Sequence, residues 1–133
     1  AAIGIARTFQ SPQIFAEQTV LENILVGAHA WQRTGILAAA VRSPFARNEE
    51  QKAREWAEAL ADYVGLQDKL ATPADKLAHH EHRLLEVARA LAGRPSLLLL
   101  DEPAAGLGAE EMAKLARRIG ELKQTGLTIV LVE

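Results

Sequence analysis

Four consecutive leucines, Leu97 to Leu100, run directly into two carboxylates and a proline, Asp101-Glu102-Pro103. Four apolar residues are too few for a core helix, and Pro95 stops a helix that would enter them, so the run is read as a fully buried parallel strand. Downstream the period changes. From Ala109 to Gln124 apolar residues return at helical spacing through Met112, Leu115, Ile119 and Leu122, Gly126 supplies a stop, and Leu127 to Val132 is rich in β-branched residues. Strand, helix, strand is a βαβ unit, which places the chain in the α/β class.

Upstream, Ile3 to Phe9 reads as a strand closed by Gln10-Ser11-Pro12. Thr19-Val20-Leu21-Glu22 has the form of a capping box, and Leu21, Ile24, Leu25 and Ala28 continue it as a helix through Ala30. Gln32 to Arg47, with Gly35 and Pro44 around the short apolar stretch Ile36 to Val41, reads as a connection with one helical turn or two. Asn48 is the expected N-cap of a helix whose stripe is Ala53, Trp56, Ala57, Leu60, Ala61 and Val64, closed by Gly65 in the left-handed conformation. A last helix carries Leu84, Val87, Ala88 and Leu91 on one face and stops at Gly93 and Pro95. The expected domain is thus single, with a sheet core from residues 1–10 and 95–133 and a helical insert over 11–94.

The acid pair is where chemistry is expected. A buried strand ending in Asp101-Glu102 places both carboxylates at the carboxyl edge of the sheet, where open α/β sheets bind ligands. Mg²⁺ takes hard oxygen ligands and keeps several waters, so one carboxylate can hold it indirectly. A second beside it can orient and deprotonate water for attack on a phosphoryl group. Alone, the same residues equally describe a core strand opening into a solvated loop.

Composition narrows the partners. A formal charge of -2 and a pI near 6.1 give no electrostatic footprint for nucleic acid. The absence of cysteine excludes disulfides and thiolate chemistry. No apolar run approaches the roughly 20 residues that cross a bilayer. The first residue is not Met and the last segment stops inside an apolar run, so the chain is expected to be a piece of a larger protein.

Three motifs in order carry a resemblance. Arg7-Thr8-Phe9-Gln10 resembles the Q-loop of ABC-transporter ATP-binding domains, Glu86 to Leu91 resembles the helix after their signature motif, and Leu97 to Leu107 resembles Walker B followed by the D-loop. Gly4 to Gln10 and Glu102 to Leu107 look most like the ATPases of branched-chain amino-acid importers. The resemblance implies a partial P-loop-NTPase sheet of about three strands with a helical insert, ATP and Mg²⁺ as cofactors, and a place on the cytoplasmic face of the membrane. It implies a second ATP-binding subunit and transmembrane permease subunits as partners. Gln10 would reach Mg²⁺ and the attacking water, Asp101 would hold Mg²⁺, and Glu102 would be the general base. Gly108 stands where the family often has Asp or Asn.

The signature motif departs from the family. Its L-S-G-G-Q pattern falls on Leu77-Ala78-His79-His80-Glu81, in the family's spacing from Asp101. Ala78 removes a hydroxyl, His80 adds a side chain where backbone should approach phosphate, and Glu81 places a negative charge there. If the His80 position has positive φ, the substitution costs about 1 to 2 kcal/mol as well. The expectation is a weakened signature, in an ATPase subunit or in a degenerate, non-catalytic partner subunit. His79-His80-Glu81-His82 could bind a metal, but no second ligand group is evident and surface histidines are the preferred reading. Trp31 and Trp56 are read as packing residues and His29 as a helix-surface residue.

No G-x-x-x-x-G-K-[ST] occurs in the 133 residues. Without that loop's N–H cradle and Lys, tight ATP binding by this stretch alone is not expected, and it should be catalytically silent. In the family's sheet order the missing strand would lie beside Leu127 to Val132, so that edge is expected to drive self-association.

Overall fold

The computed structural model describes residues 4–8, 14–29 and 44–132. Their central feature is a parallel three-stranded sheet in the order β1-β2-β3, built from Ile5–Arg7, Leu97–Asp101 and Thr128–Val132. β2 lies in the middle, with Leu97 opposite Ile5 on one side and Thr128 on the other. Its even-numbered leucines, Leu98 and Leu100, are fully buried, but Leu97 and Leu99 are only half-buried, so the run is not the fully buried strand expected: the helical core cluster packs on the face that carries Leu98 and Leu100.

Four helices accompany the sheet: α1 (Val20–Ala28), α2 (Pro44–Val64), α3 (His79–Ala92) and α4 (Ala109–Gln124). The α1 capping box is present in full. The Glu22 amide donates to Thr19 Oγ1 at 3.2 Å and the Thr19 amide to Glu22 Oε2 at 2.7 Å. That backbone bond, with the Thr19 hydroxyl, holds the Glu22 carboxyl below the usual carboxylate range. Helix α2 begins at Pro44, four residues before the expected Asn48 cap. Proline suits a first helical turn, where its missing N–H has no acceptor to serve, so Pro44 to Arg47 are helix and not connection. Gly65 closes α2 with φ +87°, as its position predicts.

Helix α3 is longer than its apolar stripe suggests, reaching back to His79. Its buried apolar set is Leu85, Val87, Ala88, Leu91 and Ala92, whereas Leu84 is only half-buried, because α3 packs against both α1 and α2 and near β1. The stop also differs: Gly93 keeps right-handed φ at -72° and Arg94 takes the left-handed turn at +50°. Helix α4 spans the expected residues, but of its stripe only Leu115 is fully buried, and Met112 is exposed. One hydrophobic cluster joins α1, α2 and α3 to Leu98 and Leu100 of the sheet.

Trp56 packs as expected. Its Nε1–H donates to the Ala92 carbonyl at 3.3 Å, and the Arg94 guanidinium lies 5.4 Å from its ring centre. His29 is exposed at the end of α1. Trp31, most of the Gln32 to Arg47 connection and the outer residues of the Ile3 to Phe9 strand lie outside the described residues.

A buried polar side chain that periodicity did not single out secures the segment before α1. Asn23, with no exposure, accepts from the Phe15 amide at 2.9 Å and donates to the carbonyls of Phe15, Gln18 and Thr19 at 3.0 to 3.2 Å. One amide thereby satisfies a non-helical stretch that would otherwise bury open backbone groups.

Candidate nucleotide site at the carboxyl edge of the sheet

Asp101 is the last residue of the central strand, and Glu102 is the first beyond it. The Asp101 side chain is about one-fifth exposed and meets the Arg7 guanidinium at 3.4 Å. Glu102 is exposed and adopts φ +45°, a left-handed conformation rare for a glutamate. Its amide donates to the Val132 carbonyl of β3 at 2.8 Å, which fixes the turn. Pro103 behind it is buried, and Ala104 to Leu107 form successive tight turns.

On the other side of β2, Thr8 continues β1 by one rung. Its amide donates to the Leu99 carbonyl at 2.9 Å, and its hydroxyl accepts the Asp101 amide at 3.1 Å. The carboxyl end of β1 and the acid pair therefore share one sheet edge. Gln10, two residues past Thr8, lies outside the described residues.

The signature-like stretch opens helix α3. Ala78 is its N-cap and offers no side-chain acceptor, so only half a capping box forms, the Ala78 amide donating to Glu81 Oε2 at 2.8 Å. The other carboxylate oxygen of Glu81 is paired with Lys69. Burial pushes the Glu81 carboxyl up, but Lys69, the Ala78 amide and nearby His80 outweigh it and hold it below the usual carboxylate range. The charge of Glu81 is thus committed to a neighbouring lysine, which the sequence alone did not reveal.

His80 lies within the first turn of α3 and is not among the positive-φ residues, so the backbone cost weighed above does not arise. Its Nε2 stands 3.4 Å from Glu111 Oε1, and the other oxygen of Glu111 caps the Gly108 amide at 2.8 Å. The His79 ring rests on Gly106: a methyl group placed there would stand 2.9 Å from His79 Cδ2. The start of α3 and the loop after β2 are consequently in contact within one chain. The third histidine turns elsewhere, His82 Nε2 lying 2.7 Å from the Ala74 carbonyl. Among the described residues, no three His, Cys, Asp or Glu side chains are grouped to hold a metal.

Sequence reasoning missed four contributors: Thr8, Lys69 and Glu111, and Arg7 as a partner of Asp101. Nothing in local spacing could have found them, since each acts on a residue at least a dozen positions away or on another element.

The sequence profile of the family described as ABC transporter matches residues 2–105, well over half of the chain. The chain belongs to the ABC transporter family. Curated relatives of this ABC-family chain include the high-affinity branched-chain amino acid transport ATP-binding protein LivG of Escherichia coli K12, 37% identical over 134 residues. That alignment covers 100% of the chain and 52% of LivG. BraF of Pseudomonas aeruginosa, of the same description, is 38% identical over 131 residues, covering 98% of the chain and 51% of BraF. The chain spans about half the length of the curated relatives it matches.

Among solved structures, an ATP-binding cassette of an ABC transporter in its ADP conformation superposes with a TM-score of 0.74 at 32% identity. The match covers 98% of this chain and 50% of that cassette. The α/β fold, with its parallel sheet and packed helices, is therefore that of an ABC cassette. No helix among the described residues is long and apolar enough to cross a membrane.

Proposed function

We propose that the chain is part of an ATP-hydrolysing subunit that powers import of branched-chain amino acids or similar small solutes. The observation that carries the proposal is the pair Asp101-Glu102 at the carboxyl end of the central strand, joined across the sheet edge to the end of β1. In this reading Asp101 holds Mg²⁺ through water, Glu102 is the general base, and Gln10 completes the pocket from the chain that follows β1. The donor set fits Mg²⁺, since Asp101 is a partly exposed hard-oxygen donor at a ligand-binding edge. When bound, the ion would neutralise charge on the β- and γ-phosphates.

The protein's own residues supply the rest. Glu102, exposed and held in its turn by Val132, can take a proton from water, and no buried partner competes for its carboxylate among the described contacts. Ala78, His80 and Glu81 would face the nucleotide of a second ATP-binding subunit, and permease subunits would dock on the complete protein at the cytoplasmic face of the membrane. Residues 1–133 by themselves are expected to turn over no ATP, because they hold no phosphate-cradling loop.

A second reading, a non-catalytic partner subunit serving dimerisation and coupling, draws on the signature stretch. Replacing His80 by Gly and Glu81 by Gln together in the complete protein is expected to raise ATPase turnover several-fold. The gain would come from opening the approach to phosphate at His80, since the charge of Glu81 is already paired with Lys69. Unchanged turnover would show that these residues do not limit the reaction.

The β3 edge makes a separate expectation. Val130, Leu131 and Val132 are 43%, 48% and 55% exposed, and among the described residues β3 pairs only with β2. An apolar strand with an open edge is a template for another chain. Isolated residues 1–133 should therefore sediment as a species larger than 14.4 kDa, and Leu131→Lys should shift them toward monomer. A monomeric wild type with that edge open to hydrogen exchange would contradict the expectation.

A further inference from the structure

We infer that Thr8 is a positioning residue for the acid pair, its hydroxyl serving as the final rung that aims Asp101 and Glu102 at the nucleotide pocket. The inference rests on the proposed ATPase reading for its functional consequence, but the rung itself is a matter of geometry.

The paired register of β1 with β2 ends at Arg7 opposite Leu99. Amides of β2 that face β1 alternate along the strand: Leu97 donates to the Gly4 carbonyl at 3.1 Å, and the Asp101 amide, four residues on, points the same way. At that point its acceptor is not a main-chain carbonyl but Thr8 Oγ1, at 3.1 Å. The same hydroxyl lies 3.5 Å from the Leu99 carbonyl, to which it can donate. A hydroxyl can accept and donate at once, whereas valine, of almost the same shape, can do neither.

Thr8 is only 3% exposed, so water cannot readily replace it. The next amide, that of Glu102, is held from the opposite side by Val132 at 2.8 Å. The two consecutive amides of the acid pair are thus tied to different neighbouring strands, one by a side chain and one by a carbonyl. This double anchoring over-determines the turn and sustains the left-handed Glu102, which a loose loop would relax. Loss of one tie lets Asp101 swing, and Glu102 with it. Displacements of an ångström in a catalytic group are enough to slow a reaction far more than they weaken binding.

The test uses the complete protein with Thr8→Val and Thr8→Ser. Thr8→Val is expected to lower kcat by about tenfold or more while the KM for ATP changes less than about twofold. Amide exchange in the peptide covering residues 97–103 should quicken by about tenfold. Thr8→Ser, which keeps the hydroxyl, should recover most of both. Should Thr8→Val fail to fold, Thr8→Ala carries the same comparison.

Equal kcat and equal exchange in wild type and Thr8→Val would overturn the inference, as would a Thr8→Ser that behaves like Thr8→Val. If exchange quickens in Thr8→Val but the wild type hydrolyses no ATP, the rung stands and the ATPase reading falls.

Discussion

Glu102→Gln in the complete protein is expected to lower kcat for ATP hydrolysis by about 10²- to 10³-fold, within the range a positioned general base supplies. Nucleotide affinity should stay within a few-fold of wild type. The physical case is that Glu102 is exposed at the carboxyl edge of the central strand, with its backbone fixed by the Val132 carbonyl. Glutamine preserves shape and can still hydrogen-bond a water, but its amide cannot accept a proton at neutral pH. The backbone should be indifferent to the exchange, because φ +45° costs glutamine what it costs glutamate. Steady-state turnover measured beside equilibrium nucleotide binding separates the effects. A variant that keeps wild-type turnover would remove Glu102 from the chemistry, and one that loses binding equally would point to a role in holding nucleotide.

Gly27→Ala is expected to destabilise the fold by about 3 kcal/mol or more, the upper range for forcing volume into a packed contact. Helix propensity alone predicts the opposite sign, since Ala in a helix interior is favoured over Gly by about 1 kcal/mol. Gly27 sits in the last turn of α1, where a methyl group would stand 2.1 Å from the Arg89 carbonyl oxygen of α3 and 3.1 Å from the Ala92 Cβ. The obstructing atom is helix backbone, which cannot rotate aside as a side chain can, so the two helices must separate. Their contact lies beside buried Ile24, Ala28, Ala88 and Ala92, and separation would open that cluster. Chemical denaturation of the complete protein reads the sign directly. Stabilisation, or a change under about 0.5 kcal/mol, would show that α1 and α3 do not approach closely there.

The acid pair was visible because a strand's carboxyl end is a fixed consequence of the leucine run, and the two further motifs in order along the chain favoured a functional reading over a solvated loop. The close approach at Gly27 was invisible because a glycine in a helical pattern looks like a weak point until the partner helix is in place. Asn23 belongs with it: an asparagine among apolar helix positions gave no sign that it would bind one amide and three carbonyls.

Local sequence determined the elements whose signals are short-range. Thr19 and Glu22 fix the start of α1 because capping spans three residues, Gly65 ends α2 because only glycine enters the left-handed region without strain, and Leu97 to Leu100 form a strand because their length and flanks permit little else. Tertiary structure alone decided that Lys69 neutralises Glu81, that Glu111 meets His80, and that the Thr8 hydroxyl takes the Asp101 amide. The reason is physical: capping and strand length act through covalently near neighbours, whereas a charge or a hydroxyl finds its partner only after the sheet and helices have brought distant residues to the same edge.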